Sequence, residues 1–246
     1  MLFICILTKK MKFIIKNSPN FSKNPRKTTK IKFIIIHYTG MQSKRVSIDR
    51  LTSIKHKVSC HYLICRKGKI TQMVEEKKIA WHAGKSKWKN YNNLNENSIG
   101  IELVNKGHKI KYESYPELQI DSLKKLCKKL KKKYKIKDCC ILGHSDIAPL
   151  RKKDPGEKFP WGKVAKTQLK LSLKKTKNLN NKKILRKLFF NNLYKIGYRY
   201  FSQKNKMHSR DKIIIKAFQR RYVQHKVDGA IDKKTYEISH FLANTK

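Results

Sequence analysis

The sequence predicts an α/β domain followed by a small all-helical domain, and three observations carry this prediction. The continuous apolar run "IKFIII" at 31–36 is typical of a strand buried on both faces. Apolar residues that recur at spacings of three and four between Ile120 and Tyr134 indicate an amphipathic helix. Beyond about residue 183 the strand-like runs give way to helical periodicity.

Four further segments supply strands to the first domain. The segments "HYLI" (61–64) and "ITQMV" (70–74) flank a Lys67-Gly68 turn and predict a hairpin. The segments "SIGIELV" (98–104) and "CCILGH" (139–144) are the other strand candidates.

The long helix between these last two strands has a start signal at 114–117, "SYPE", and its apolar stripe consists of Ile120, Leu123, Cys127, Leu130 and Tyr134. This α/β domain is expected to cover 17–165.

The C-terminal part divides into a connection and a helical module. Residues 166–182 are rich in Lys, Asn and Leu and fit either a linker or a connecting helix. Within 183–246, the segments 184–198 and 210–223 have helical periodicity, and Asp228-Gly229 predicts a turn. Asp232 is placed to cap a last short helix that reaches Leu242.

The net charge of +45 suggests nucleic acid as a partner, because lysine and arginine arrays release counterions from phosphates. The lysines are spread over every segment, however, and no nucleic-acid-binding motif is present, so nucleic acid is not expected as the main partner. Another polyanion, including the carboxylate-rich bacterial cell wall, remains open.

The six cysteines form no Cys-x-x-Cys pair and indicate neither a zinc ribbon nor a disulfide framework. The first residues contain an apolar run of only six residues, which is too short for a usual signal peptide or for a membrane span. No transmembrane segment is therefore expected.

The stretch "GHSDIAPLRKKDPGEKFPW" (143–161) departs from the monotonous Lys, Ile and Leu around it. His37 and His144 each end an apolar run, so parallel strands would bring the two imidazoles together at one sheet edge. Asp154, on a loop restricted by prolines, could complete a catalytic metal site with three protein ligands and one open position. A histidine at a strand end is more commonly structural, and the pattern alone leaves both interpretations open.

Six segments together resemble the zinc-dependent N-acetylmuramoyl-L-alanine amidases of the type-2 amidase family, relatives of phage lysozyme-amidases and peptidoglycan recognition proteins. They are "NSPNF" (17–21), "IIIHYTG" (34–40), "VSCHYLI" (58–64), "AWHAGKSKW" (80–88), "SIGIELVN" (98–105) and the stretch 143–161, in family order. The resemblance implies a central mixed β-sheet flanked by helices and one zinc ion per chain.

Carried over residue by residue, the resemblance assigns His37, His144 and Asp154 as zinc ligands, Glu102 as catalytic glutamate and Lys152 as catalytic lysine. Bound zinc would lower the pKa of its water towards about 7 and polarise the amide carbonyl. Glu102 would take the proton of that water and pass it to the departing amine, and Lys152 would hold the oxyanion. Leu150, where many members have glycine, replaces no ligand.

The expected substrate-binding residues line the cleft with aromatic faces and hydrogen-bonding groups. For several of them a purely structural role inside the protein is the alternative. They are Tyr38, His61, Trp81, His82, Trp88, Asn105 and Arg151. Five histidines are expected at the surface, namely His56, His108, His208, His225 and His240.

The segment 213–239, with "AFQRR", the "VDG" turn and a closing helix, is similar to a three-helix peptidoglycan-binding domain. The resemblance implies that 183–246 binds the wall and keeps the enzyme on its insoluble substrate. A helical cap that stabilises the amidase domain is the neutral alternative.

These inferences predict a monomeric zinc hydrolase that cleaves the amide between N-acetylmuramic acid, or its anhydro form, and L-alanine in wall turnover or recycling. The alternative is a recognition protein that binds muropeptides without cleaving them. The wall-binding module favours the cell envelope or periplasm, whereas the missing signal peptide leaves the cytoplasm possible.

Overall fold

A computed structural model describes residues 12–165, 181–201 and 208–245. The short apolar run at the N-terminus, Cys5 and most of the expected connection at 166–182 lie outside these ranges. The other five cysteines are free thiols. Among the described residues, no helix combines the length and apolar character that a membrane span needs.

The α/β part contains ten strands and four helices within 12–165. The strands are β1 (Ile14–Ile15), β2 (Phe21–Ser22), β3 (Phe33–Tyr38), β4 (Tyr62–Ile64), β5 (Ile70–Gln72), β6 (Ile79–Ala80), β7 (Lys87–Trp88), β8 (Tyr91–Asn92), β9 (Ser98–Leu103) and β10 (Ile141–Gly143). The helices are α1 (Lys44–Thr52), α2 (Glu117–Tyr134), α3 (His144–Ile147) and α4 (Trp161–Val164). Three more helices follow: α5 (Lys182–Ile196), α6 (Ser209–Tyr222) and α7 (Lys233–Asn244).

Six strands form one mixed sheet in the order β1-β5-β4-β9-β3-β10. The four strands β4, β9, β3 and β10 are mutually parallel, and β5 runs antiparallel to β4 as the predicted hairpin requires. Both faces of β3, which lies between β9 and β10, are covered, and this explains its unbroken apolar sequence.

Alternation along the strands assigns each side chain to one face of the sheet. Ile34 and Ile36 of β3 share a core with Leu123 and Leu130 of α2, which confirms the predicted apolar stripe. Phe33 and Ile35 lie in a second core on the other face. His37 has the same parity as Phe33 and therefore belongs to this second face.

The three C-terminal helices pack against this second face. Phe189, Leu193 and Phe218 belong to the same buried cluster as Ile35 and Leu142 of the sheet. The α/β and helical parts therefore share one continuous core.

Most predicted elements agree with the structure, with small shifts at their ends. The predicted strand at 139–144 is shorter, because residues 138–140 form a 3-10 turn and His144 already begins α3. Ser114 does not cap α2, whose N-cap is Pro116. Asp232 caps α7 as predicted, with its carboxylate accepting a hydrogen bond from the Thr235 amide at 2.8 Å.

Candidate metal centre

The candidate centre lies where three adjacent parallel strands end. His37 of β3 is directly opposite Glu102 of β9, and Gly143, the last residue of β10, is opposite Ile36. His144 follows immediately. Because the strands are parallel and in this register, both imidazoles and the Glu102 carboxylate reach the same edge of the sheet.

Three ligand atoms converge at this edge. His37 Nδ1 lies 2.9 Å from His144 Nδ1, and each of these nitrogens lies 3.1 Å from Asp154 Oδ2. Zinc held tetrahedrally at about 2.1 Å separates its ligand atoms by about 3.3–3.4 Å, so the three atoms need only a small spread to accept the ion. The donor set of two imidazoles and one carboxylate, all three residues buried, fits a zinc site that keeps a position open.

The loop that carries Asp154 is fixed against the end of β10. The Ser145 amide donates to the Asp154 carbonyl at 2.8 Å, and Pro155, after a cis peptide bond, lies against Gly143. A Cβ at Gly143 would come within 2.8 Å of Pro155 Cδ. The glycine of "GHSD" is therefore needed for this close approach.

The second nitrogen of each imidazole has a hydrogen-bond partner from the segment "WHAG". His37 Nε2 lies 3.0 Å from His82 Nδ1, and His82 Nε2 lies 3.3 Å from Ser98 Oγ. His144 Nε2 lies 3.2 Å from the Ala83 carbonyl oxygen. His144 Nε2 also lies 3.2 Å from Nη2 of Arg151, which itself donates to the Ala83 carbonyl. With its proton on Nε2, His144 can donate to that carbonyl, and the His37–His82–Ser98 chain can accept the Nε2 proton of His37. Both Nδ1 atoms are then free to bind a metal.

The segment "WHAG" (81–84) is itself held in place by Asn95 and by packing on β9. Asn95 Oδ1 accepts hydrogen bonds from the amides of His82 and Ala83 at 3.0 and 2.7 Å. The His82 ring lies directly on Gly100 of β9, where a Cβ would come within 2.4 Å of His82 Cγ. Gly100 thus makes room for the ring that orients His37.

Burial and mutual contacts keep the three ligands in the protonation states that a metal requires. Burial, reinforced by the nearby His144, lowers the pKa of His37 to about 4. Burial also lowers the pKa of His144. Burial opposes ionisation of Asp154, but its contacts with His144 and His37 outweigh this and hold its pKa well below the usual range. Neutral imidazoles and an ionised carboxylate are ready to bind a divalent cation.

Glu102 is a proton-accepting candidate beside these ligands. Burial, with a further contribution from the Asp154 charge, raises the pKa of Glu102 to about 8, and Lys152 partly offsets this. Its buried Oε2 makes no hydrogen bond to any described residue. Lys152 is half-buried and lies close enough to lower the pKa values of both ligand histidines through its charge.

Several predicted substrate-binding residues surround this centre with part of their surface exposed. Tyr38 is half-buried, and its hydroxyl lies 2.8 Å from His108 Nδ1. Trp81 is half-buried and donates through Nε1 to Ser22 Oγ at 3.2 Å. Arg151 is exposed overall, but its guanidinium donates to the carbonyls of Ala83 and Lys85 and lies 3.2 Å from His144 Nε2.

Other predicted substrate-binding residues are engaged inside the protein. Trp88 is buried, with its ring against Gly197 and Tyr198, which corrects the expectation that it lines the cleft. His61 is buried as well, and its Nδ1 accepts the Gly100 amide at 3.0 Å. Asn105 is also buried.

The Asn105 side chain closes a loop by donating to the Glu113 carbonyl and accepting from the Gly107 amide. His82 contacts His37 and is half-buried. His61, Trp88 and Asn105 are therefore engaged in internal contacts, and the expected substrate contact of half-buried His82 stays a prediction.

Sequence reasoning missed several residues that support the centre. Asn95 and Ser98 hold or extend the "WHAG" contacts. Buried Arg26 donates to four carbonyls, those of residues 76, 95, 96 and 98. His108, expected at the surface, is half-buried between Tyr38 and Glu157. Only the departure from lysine-rich composition around 93–98 could have drawn attention to the first two.

Comparison with known proteins agrees with this geometry. The family model described as N-acetylmuramoyl-L-alanine amidase (Amidase_2) matches residues 27–157. N-acetylmuramoyl-L-alanine amidase AmiD of Escherichia coli is 40% identical over 148 residues, which are 55% of this chain and 52% of AmiD. The alignment thus spans about half the length of that relative. The 1,6-anhydro-N-acetylmuramyl-L-alanine amidase AmpD of Haemophilus influenzae is 35% identical over 58% of this chain and 85% of its own length.

Two solved structures resemble the whole molecule, including its C-terminal helices. The Escherichia coli AmiD complex with anhydro-N-acetylmuramic acid-L-Ala-D-γ-Glu-L-Lys has a TM-score of 0.72 at 30% identity and covers 90% of this chain and 91% of its own. AmpDh3 of Pseudomonas aeruginosa has a TM-score of 0.72 at 26% identity and covers 98% of each chain. The fold, the convergent His37, His144 and Asp154, and these similarities agree, and the chain belongs to the Amidase_2 family of N-acetylmuramoyl-L-alanine amidases.

Proposed function

We propose that this protein is a zinc-dependent amidase that hydrolyses the bond between the lactyl group of N-acetylmuramic acid, or its anhydro form, and L-alanine. The observation that carries the proposal is the meeting of His37, His144 and Asp154 beside Glu102, whose buried Oε2 has no hydrogen-bond partner among the described residues. Zinc bound there would supply a water of lowered pKa and polarise the scissile carbonyl.

Glu102 is proposed as the general base and then the general acid. In the metal-free protein burial raises the pKa of Glu102 to about 8, so the ionised carboxylate is a stronger base than an ordinary glutamate, and a departing amine, which is more basic still, can take the proton back. Its Oε2 makes no hydrogen bond to any described residue, so no partner has to be displaced before it accepts a proton.

Lys152 is proposed to stabilise the oxyanion that develops on the carbonyl oxygen. It lies two residues before Asp154, and its backbone amide donates to the Ala148 carbonyl at 3.1 Å, which fixes the base of its side chain. A fixed positive charge in such a position is worth about 3 kcal/mol of transition-state stabilisation.

The substrate class follows from the relatives. One relative is named as an amidase of 1,6-anhydro-N-acetylmuramyl-L-alanine, and a structural neighbour was solved with an anhydromuramyl peptide. Tyr38, Trp81 and Arg151, which keep exposed surface around the centre, are the proposed contacts with sugar and peptide.

We propose a monomer with an amidase domain at 17–165 and a helical domain at 183–246 that contributes to wall binding. Such a domain would place the enzyme in the cell envelope. Recycling of anhydro-muropeptides in the cytoplasm is the other setting consistent with the substrate.

The test is digestion of purified sacculi and of an anhydro-muropeptide by the purified protein, with and without a chelator. We expect free stem peptides that begin at L-alanine, loss of activity on chelation, and recovery on addition of Zn²⁺. Glu102→Gln should bind zinc like the wild type and lose activity by at least about 100-fold. Binding of muropeptides without any released peptide would instead identify a recognition protein and refute the proposed hydrolysis.

A further inference from the structure

We propose that the C-terminal helical part supports the metal site. Arg221 and Tyr198 act as positioning residues that hold the turn bearing His144. This inference rests on the proposed function, because it concerns the affinity of His37, His144 and Asp154 for zinc.

The contacts converge on Asp146, two residues after His144. Arg221 Nη1 lies 2.6 Å from Asp146 Oδ2, and the Tyr198 hydroxyl donates to Oδ1 at 2.6 Å. The Gly143 amide donates to Oδ2 at 2.8 Å. Arg221, Asp146 and Tyr198 are all buried. Two of the three donors to this carboxylate therefore come from the C-terminal part.

The turn that bears His144 depends on outside support. The helix α3 has four residues, and its Ala148 amide donates to the His144 carbonyl at 2.9 Å. A single turn gains too little from its own hydrogen bonds to persist alone. Charge-assisted hydrogen bonds to a buried carboxylate are among the strongest that a side chain can make, so Asp146 is an effective anchor for the turn.

Arg221 also holds the strand that leads into His144. Its Nη2 donates to the Ile141 carbonyl at 2.8 Å, and its guanidinium lies 4.2 Å from the centre of the Trp161 ring. One side chain thus bridges β10, before His144, and α3, which contains it. Displacement of the backbone that carries His144 would require this bridge to break or move.

The buried position of the "AFQRR" motif supports this role. All five residues, 217–221, are buried, and Arg221 faces the amidase domain rather than solvent. Arg221 of this motif therefore contacts the amidase domain at Asp146, two residues after His144.

The test measures zinc affinity in variants that leave the three ligands untouched. Tyr198→Phe removes only the hydroxyl, and Arg221→Lys keeps the charge but cannot reach Asp146 and Ile141 together. We expect both to weaken zinc binding by about tenfold or more, measured by competition with a chromophoric chelator. The visible absorption of the Co²⁺-loaded protein should also change, because it reports the geometry of the ligands.

Two matched variants separate positioning from general stability. Tyr62→Phe removes another hydroxyl that donates to a buried carboxylate, that of Glu76, on the opposite face of the sheet. Arg186→Lys alters another ion pair within the C-terminal helices, that of half-buried Arg186 with the buried Asp211 at 2.6 Å. Both should keep zinc affinity within twofold of wild type and leave the Co²⁺ spectrum unchanged.

The inference is overturned if Tyr198→Phe and Arg221→Lys bind zinc like the wild type, or if the two matched variants lose as much affinity. If the wild-type protein binds zinc and cleaves its substrate, and Tyr198→Phe and Arg221→Lys bind zinc equally well, only the positioning role is refuted. A wild-type protein that binds no zinc would refute the proposed function as well.

Discussion

Replacement of His82 by phenylalanine tests whether His82 orients the His37 ring so that Nδ1 is free to bind the metal. Phenylalanine keeps a ring on Gly100 but removes the Nδ1 atom that lies 3.0 Å from His37 Nε2. Without metal, His37 can carry its proton on Nδ1 and donate to Asp154 at 3.1 Å, so the metal-free protein loses little. Metal binding moves that proton to Nε2, which in the variant is buried without an acceptor.

The magnitude follows from that unpaired group. A buried donor without a partner costs about 1–3 kcal/mol. At about 1.4 kcal/mol per tenfold change, zinc affinity should fall by about 5- to 150-fold. The dissociation constant is measured at pH 7.5 by competition with a chromophoric chelator.

The control is His108→Phe, because His108 stacks on Tyr112 and bonds to Tyr38 and Glu157 but is outside the three-ligand cluster. It should bind zinc like the wild type. If His82→Phe also binds zinc within twofold of wild type, the assigned orientation of His37 is wrong.

Three further perturbations test the surroundings of the centre. Arg26→Met should lower the free energy of unfolding, measured by urea denaturation, by about 3–5 kcal/mol, because buried carbonyls lose their donor. The control Arg45→Met, on the exposed face of α1, should change it by less than about 0.5 kcal/mol. Gly100→Ala should displace His82, weakening zinc binding and lowering stability by about 1–3 kcal/mol; unchanged affinity would contradict the close packing. Burial, with the nearby Arg26, lowers the pKa of His61 to about 3, so protons bind the unfolded chain preferentially below about pH 6.5. Stability of the metal-free protein should therefore fall as the pH decreases, by about 2 kcal/mol between pH 7 and 5 from His61 alone, and His61→Gln should remove that share of the slope.

The sequence predicted those features that have a local or a motif-level signature. Apolar runs located the central strands, and the stripe from Ile120 to Tyr134 located α2, since burial on a helix or strand repeats with a known period. Motifs in family order named His37, Glu102, His144, Lys152 and Asp154 as a set. Strand-end positions for the two histidines suggested that they could meet, because parallel strands end at one edge.

The supporting roles could not be predicted in the same way. His82 and Trp88 belong to a motif and are aromatic, which fits a cleft as well as a core, and only their neighbours decide between the two. Arg26 and Asn95 have no local signature at all, because their partners are carbonyls and amides of distant segments.

The amino-acid sequence by itself determined the family, the order of the elements and the identity of the candidate ligands, since these depend on composition, periodicity and short motifs. The tertiary structure alone decided that the two Nδ1 nitrogens face one another and Asp154, and that the C-terminal helices lie against the turn of His144. Arg221 and Asp146 are separated by 75 residues, and contacts over such distances depend on register and packing, which leave no periodic trace in the chain.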